Sequence, residues 1–361
     1  MPETNNINEV YPDAILNISR ETASVFQLKR RFERKPSMLN LTPLFQREQV
    51  WNLKQKSELV ESIIMGIPIP VFYVKEQDDG VYVVVDGKQR LTTLFEFINN
   101  EFALGKLSIL KNYKGKHFSE LSPLDQNKIE DCTLTINVIK APTSDRVMFD
   151  LFDRVNRGGT RITNQEMRNA LYQGNATRLI DRLSKMDVFT YVTEGGASPK
   201  HMKDRLIVLR FIAFYMWQQQ ISRDVDSGAL LDYRSNIEDF LGKTMSFLNS
   251  LDPQDRLLTK LEDVFVSSMV NAAEYILPLG GFRLSTDGSQ RRLRPLNMSF
   301  LESFCYLISQ HNFSSDEEAR EVYFRLLNNR DYISSITVSI DSRSQVEKRY
   351  NAISEVLNSL T

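Results

Sequence analysis

Cysteine and histidine are nearly missing from this chain, with two and three residues in 361. Cys132 and Cys305 cannot build a disulfide scaffold. With His117, His201 and His311 scattered singly, no Cys/His spacing suits a zinc site. Neither charge sign is in excess: 45 Lys and Arg stand against 46 Asp and Glu, a net −1. No global basic field therefore advertises nucleic acid, and any such contact must come from a local patch. Apolar runs fall far short of the roughly 20 residues of a membrane span. The opening MPETNNINEVYPD is polar and acidic and has no signal-peptide pattern. Together these absences predict a cytoplasmic protein in a reducing setting. HxxxH pairs, a GxSxG elbow and a P-loop are missing too, which argues against the enzyme classes built on them.

The most informative stretch is residues 81–98, VYVVVDGKQRLTTLFEFI. A β-rich run of Val81, Tyr82, Val83, Val84 and Val85 ends in Asp86-Gly87. From Leu91 the period changes, with Leu94, Phe95 and Ile98 completing one helical face. Asp86-Gly87-Lys88-Gln89-Arg90 therefore lies at a strand-to-helix junction, where backbone N–H groups and the positive end of the helix dipole attract anions. Gly87 permits close backbone approach, and Arg90 offers a rigid fork for phosphate oxygens. Asp86 would repel phosphate unless a metal or a proton intervenes, so its presence suggests chemistry as well as binding. A plainer reading stays open at this point: Asp86 as a helix cap and Arg90 as a solvated first-turn residue.

Around this junction the pattern is mixed. A loose lead-in at 1–20 precedes a helix over 21–34, followed by a second helix from Lys54 to Met65 that Gly66, Pro68 and Pro70 stop. Residues 71–75 and 81–85 read as a hairpin around Gly80, and 133–139 as a third strand. From Ser144 onward the periodicity is helical. Segments fall at about 175–187, 203–220, 230–250, 254–276, 298–311, 315–328 and 343–360, and Thr163–Glu166 forms a capping box. The expected fold class is α+β: a small N-terminal domain, 1–157, followed by a larger all-helical domain, 158–361.

Three polar clusters could carry chemistry. The first is Phe45-Gln46-Arg47 with Val50-Trp51. The second is Asp86 to Arg90. The third is Arg154, Asn156, Arg157, Gly158, Gly159 and Thr160, followed by Glu166 and Arg168. Adjacent glycines between Arg and Asn make a donor-rich loop able to close over phosphates. Helix capping accounts for Gly158, Thr163 and Glu166 but not for Arg154 and Asn156. Arg47 could equally be a surface ion pair, and Trp51 a core anchor.

In order along the chain stand PxFQRxxVW, xESIxxGxPIP, VDGxQRLTTL and FxRVNxGGTxIxxQExRNAL. Residues 35–175 thus resemble the N-terminal domain family of GmrSD-type restriction endonucleases, whose core is ParB/sulfiredoxin-like. The family signature DGQQR reads Asp86-Gly87-Lys88-Gln89-Arg90 here, with Lys88 in place of the first glutamine. The resemblance implies nucleoside triphosphate binding and hydrolysis in bacterial anti-phage restriction, coupled to DNA sensing or cleavage. It also implies an HNH-type nuclease module in many relatives. The three histidines here offer no such arrangement, so that module is expected to be absent or to sit on a separate partner subunit.

On this reading Asp86, Arg90 and Arg47 are the expected catalytic residues, with Asp86 holding Mg²⁺ or another divalent cation and Arg47 acting in the manner of an arginine finger. Gln46, Gly87, Lys88, Gln89, Arg154, Asn156, Gly158 and Gly159 would bind the nucleotide. The rival is a non-catalytic nucleotide- or DNA-sensing subunit that regulates a partner nuclease. A weaker third reading is a DNA-binding structural protein using Lys29-Arg30-Arg31. In the helical half, a loop at 280–295 with Arg283, Arg291, Arg292 and Arg294 is the expected DNA contact, against ordinary solvated charge as the alternative.

Overall fold

The computed structural model describes residues 17–41, 51–77, 79–141, 143, 147, 148, 151, 163–284 and 294–360. The chain divides into two compact units: Met1–Ile162 with Asn169–Leu171, and Thr163–Arg168 with Tyr172–Thr361. The first carries a five-stranded mixed sheet with helices and the second is mostly helical, so the class is α+β.

In the first unit the sheet order is β1-β5-β3-β4-β2, formed by Ile18–Ser24 (β1), Leu39–Asn40 (β2), Phe72–Glu76 (β3), Tyr82–Asp86 (β4) and Thr133–Ile139 (β5). Strands β1 and β5 are antiparallel, β5 and β3 parallel, β3 and β4 an antiparallel hairpin, and β4 and β2 parallel. Helices α1 (Val25–Glu33), α2 (Leu53–Ile64), α3 (Lys88–Ile98) and α4 (Pro123–Glu130) accompany it. Val60, Phe72, Val74, Val84, Leu91, Leu94, Phe97, Ile136 and Val138 make one core from strand and helix positions. Helix α2 ends as its sequence predicts. Gly66 takes φ +72°, and its N–H bonds Ile63 O while Ile67 N–H bonds Ser62 O, a Schellman closure.

One expectation fails at the N-terminus. Residues 18–24, expected as lead-in and helix, form β1, and the helix starts only at Val25. The cause is twofold. Ser24 caps α1 in a reciprocal capping box with Gln27, and the strand's ladder partners, Ile139 to Thr133, lie over a hundred residues away, beyond any local pattern.

The second unit contains α5 (Asn164–Leu171, whose last three residues group with the first unit), α6 (Asn175–Ser184), α7 (Asp187–Val192), α8 (Lys203–Gln218), α9 (Ile237–Ser250) and α10 (Arg256–Asn271). It continues with α11 (Met298–Gln310), α12 (Asp316–Asn328), α13 (Arg330–Thr337) and α14 (Arg343–Leu360). The helix expected from 230 begins at Ile237, where Asn236 caps it. Helix α8 is apolar around its circumference from Ile207 to Met216 except at Arg210, and the whole stretch is buried. Helix α11 packs along it with ten successive buried residues.

At the start of α12, Ser315 caps the helix, and the Glu318 carboxylate accepts from Ser314 N (2.6 Å), Ser314 Oγ (2.7 Å) and the His311 ring (2.8 Å). The backbone bond to Ser314 leads in pulling the Glu318 carboxyl from the ordinary 4.5 to about 2. A carboxyl depressed on folding contributes stability above its unfolded value and loses it as pH falls through the folded value. Glu318→Gln should therefore flatten the acid limb of stability between about pH 4.5 and 2, measured as urea midpoints against pH. An unchanged limb would show that the carboxylate's bonds do not differ from those in the unfolded chain.

Candidate functional site: the β4–α3 junction

Strand β4 is apolar and buried up to Val85, and its last residue, Asp86, emerges half-buried. Gly87 turns the chain with φ +100° and stands as the N-cap of α3, with no side chain capping it and no acid in the first turn. Asp86 is therefore not a helix cap. Its Oδ2 accepts from Arg90 Nη2 at 2.8 Å, and its Oδ1 has no partner among the described residues.

Arg90 is held from several sides. Nη1 donates to Pro70 O, Nη2 donates to Val71 O at 3.3 Å, and the guanidinium carbon lies 4.3 Å from the centre of the Phe72 ring. Burial pushes the guanidinium below the ordinary arginine range, with Asp86 opposing the shift. Phe72 can lie beneath the turn only because residue 87 is glycine: a Cβ there would stand 2.2 Å from the ring. The expectation of an Arg90 fork turned to solvent phosphate meets a side chain bound to its own backbone.

Lys88, the first residue of α3, is different. It is half-buried, and among the described residues no hydrogen bond or ion pair engages it. Burial holds its ammonium below the ordinary lysine range. A partly desolvated cation at the positive end of a helix is electrostatically unfavourable until an anion arrives. Gln89 Oε1 accepts from Trp51 N at 3.3 Å. Trp51 packs against the core of this unit, so the anchor reading of that residue holds, and the end of the 45–51 cluster is tied to the junction.

Gln46, Arg47, Arg154, Asn156, Gly158, Gly159, Arg291 and Arg292 lie outside the described residues. The motif residues Gln165, Glu166 and Arg168 are buried. Arg168 bonds Gln165 and pairs with Glu238 of α9, and Glu166 closes the capping box on Thr163. In the 280–295 loop, Arg294 is exposed. Arg283 is an internal tie, 10% exposed, bonding Glu194 Oε2 (3.1 Å) and the carbonyls of Thr193, Glu194 and Arg294. It offers little to DNA. Phe72 and the Pro70 and Val71 carbonyls, missed by motif reading, complete the junction. Their only sequence signal is the PIPVF run after Gly66, whose prolines leave carbonyls without a regular ladder.

Residues 25–173 match the family model of the GmrSD restriction endonuclease N-terminal domain. The match spans less than half of the chain, and it is this segment that is similar to that family. The match places it among restriction-type defence proteins. No curated protein and no solved structure matches the chain. Among the described residues, no helix is long and apolar enough to cross a membrane.

Proposed function

We propose that the β4–α3 junction of this GmrSD-type domain binds the phosphate chain of a nucleoside triphosphate and hydrolyses it to diphosphate and inorganic phosphate. The observation that carries the reading is Lys88, a half-buried ammonium without a counter-charge among the described residues, at an uncapped helix start. A phosphate oxygen there would gain a charge-assisted hydrogen bond and relieve the buried cation. Asp86 Oδ1, without a partner among the described residues, would accept a hydrogen bond from the attacking water and orient it toward the terminal phosphorus. The bond to the bridging oxygen breaks, and Lys88 stabilises the charge that gathers on the phosphate oxygens. Arg47, Gln46 and the Arg154–Gly159 loop are the proposed completing contacts.

Asp86 is one carboxylate, and no group of three or more His, Cys, Asp or Glu side chains stands ready for a metal among the described residues. In a Mg²⁺-assisted form of the reaction Asp86 would be the protein ligand of the ion, in place of its direct contact to the attacking water. Such an ion would supply neutralising charge. The same lone carboxylate, already paired with Arg90, also favours a second reading: a nucleotide-sensing subunit that binds without turnover and regulates a partner.

Binding and phosphate release, measured separately, decide between them. Lys88→Met should weaken triphosphate binding at least about tenfold, the loss of one charge-assisted bond, while the ligand-free protein melts no lower than wild type. Asp86→Asn should keep binding and lose release. An unchanged dissociation constant in Lys88→Met would remove the junction from the phosphate site. Binding without release in the wild type would establish the sensing subunit.

A further inference from the structure

Resting on that reading, we propose that Arg90 is a positioning residue that never touches the nucleotide: it clamps Asp86 by Oδ2 against the Pro70–Val71 backbone, leaving Oδ1 as the single working oxygen. Three observations carry this. The guanidinium's donors go to Pro70 O, Val71 O and Asp86 Oδ2. One face of the group is covered by the Phe72 ring. The side chain is 12% exposed, whereas Lys88, two residues earlier and without a described partner, is the cation left for an anion. For its bonded N–H groups to reach a phosphate, Arg90 would have to abandon two backbone carbonyls and a carboxylate, giving up three hydrogen bonds and its place over Phe72. Held as it is, it fixes the carboxylate's rotation at the end of β4, and a small misplacement of an orienting group is enough to cost about a hundredfold in rate. The Gly66–Pro70 loop is thereby coupled to the chemistry through Arg90, although it contributes no side chain to it.

The test compares Arg90→Met, which keeps the stem over Phe72, and Arg90→Lys, which keeps the charge but not the fork, in the full chain. Nucleoside triphosphate affinity is measured with a non-hydrolysable analogue, turnover by phosphate release, and stability by thermal melting. Arg90→Met should lower kcat about a hundredfold while analogue affinity stays within about threefold of wild type, because no phosphate contact is lost. Arg90→Lys should rescue little of that rate. Melting shifts of Arg90→Met and Asp86→Asn should be non-additive, the double variant melting close to the worse single one, as expected of two groups in one contact. An affinity loss of about tenfold or more with kcat retained, or additive melting shifts, would overturn the proposal and make Arg90 a direct phosphate ligand or an independent residue. If the wild type neither binds nor hydrolyses any triphosphate, the nucleotide reading fails, and the melting cycle still decides whether Arg90 holds Asp86.

Discussion

Glu302→Ala should lower the melting midpoint of the helical unit steeply. The Glu302 carboxylate is fully buried on α11 and binds Arg210 of α8 twice, through Nε at 2.6 Å and Nη2 at 3.1 Å. Its Oε1 also lies 2.9 Å from Arg349 Nη2 of α14. Asp341, partly exposed, pairs with Arg210 Nη1 at 2.9 Å. Burial pulls Arg210 down, but Glu302 and then Asp341 outweigh it, and the net shift is upward. Removing Glu302 leaves two buried guanidiniums facing one partly exposed acid. Breaking a buried pair from one side costs about 3–5 kcal/mol. For a unit of this size that lowers the melting midpoint by about 6–20 °C, read from the helical circular dichroism signal. Replacing all three together (Arg210→Met, Glu302→Leu, Arg349→Met) should melt higher than Glu302→Ala alone, because the one charge then left unmatched, Asp341, is partly exposed rather than buried. A midpoint within about 2 °C of wild type for Glu302→Ala, less than 1 kcal/mol, would mean that water reaches the network.

Gly87→Ala should be the most damaging small change in the sheet unit, and two other glycines calibrate it. Gly66, at φ +72°, has nothing within 4 Å of where a Cβ would stand, and Gly80, at φ +77°, has only Met38 Cε at 3.9 Å. Alanine at either position pays the left-handed backbone alone, about 1–2 kcal/mol. Gly87 adds the overlap with Phe72, and overpacking of that kind costs about 1–3 kcal/mol more. Because Phe72 also supports the Arg90 guanidinium, its displacement should release Asp86 and abolish turnover. Equal stability losses in Gly66→Ala and Gly87→Ala, by urea denaturation, would show that the Phe72 contact is loose.

Local chemistry in this chain was legible from the sequence. The β4–turn–α3 junction, the stop at Gly66, the left-handed Gly80 and the Thr163–Glu166 capping box all stand where residue type and period put them. Each depends on interactions spanning a few residues, and periodicity reads such distances directly. Four motifs in fixed order were also enough to point to the family. The same short range explains the errors of extent. The helix at 21–34 was drawn too long because β1 is polar and alternates weakly, and the short helices α4, α7 and α13 were overlooked because each spans at most 8 residues.

What tertiary structure decided is which polar groups are already satisfied and which remain for a ligand. By pattern alone Arg90 and Lys88 were both phosphate donors, and Arg283 was a basic loop residue. Folding brings Pro70 and Val71, about 20 residues earlier, onto Arg90, and Glu194, 89 residues earlier, onto Arg283. It leaves Lys88 half-buried with no partner among the described residues. The Arg210–Glu302–Arg349 network likewise joins three helices whose sequences show only isolated charges in apolar runs. A charged side chain carries no mark of its partner, since pairing is set by burial and by how distant segments pack. The sequence therefore determined the junction and its residue types, and packing determined which of its cations is free to meet an anion.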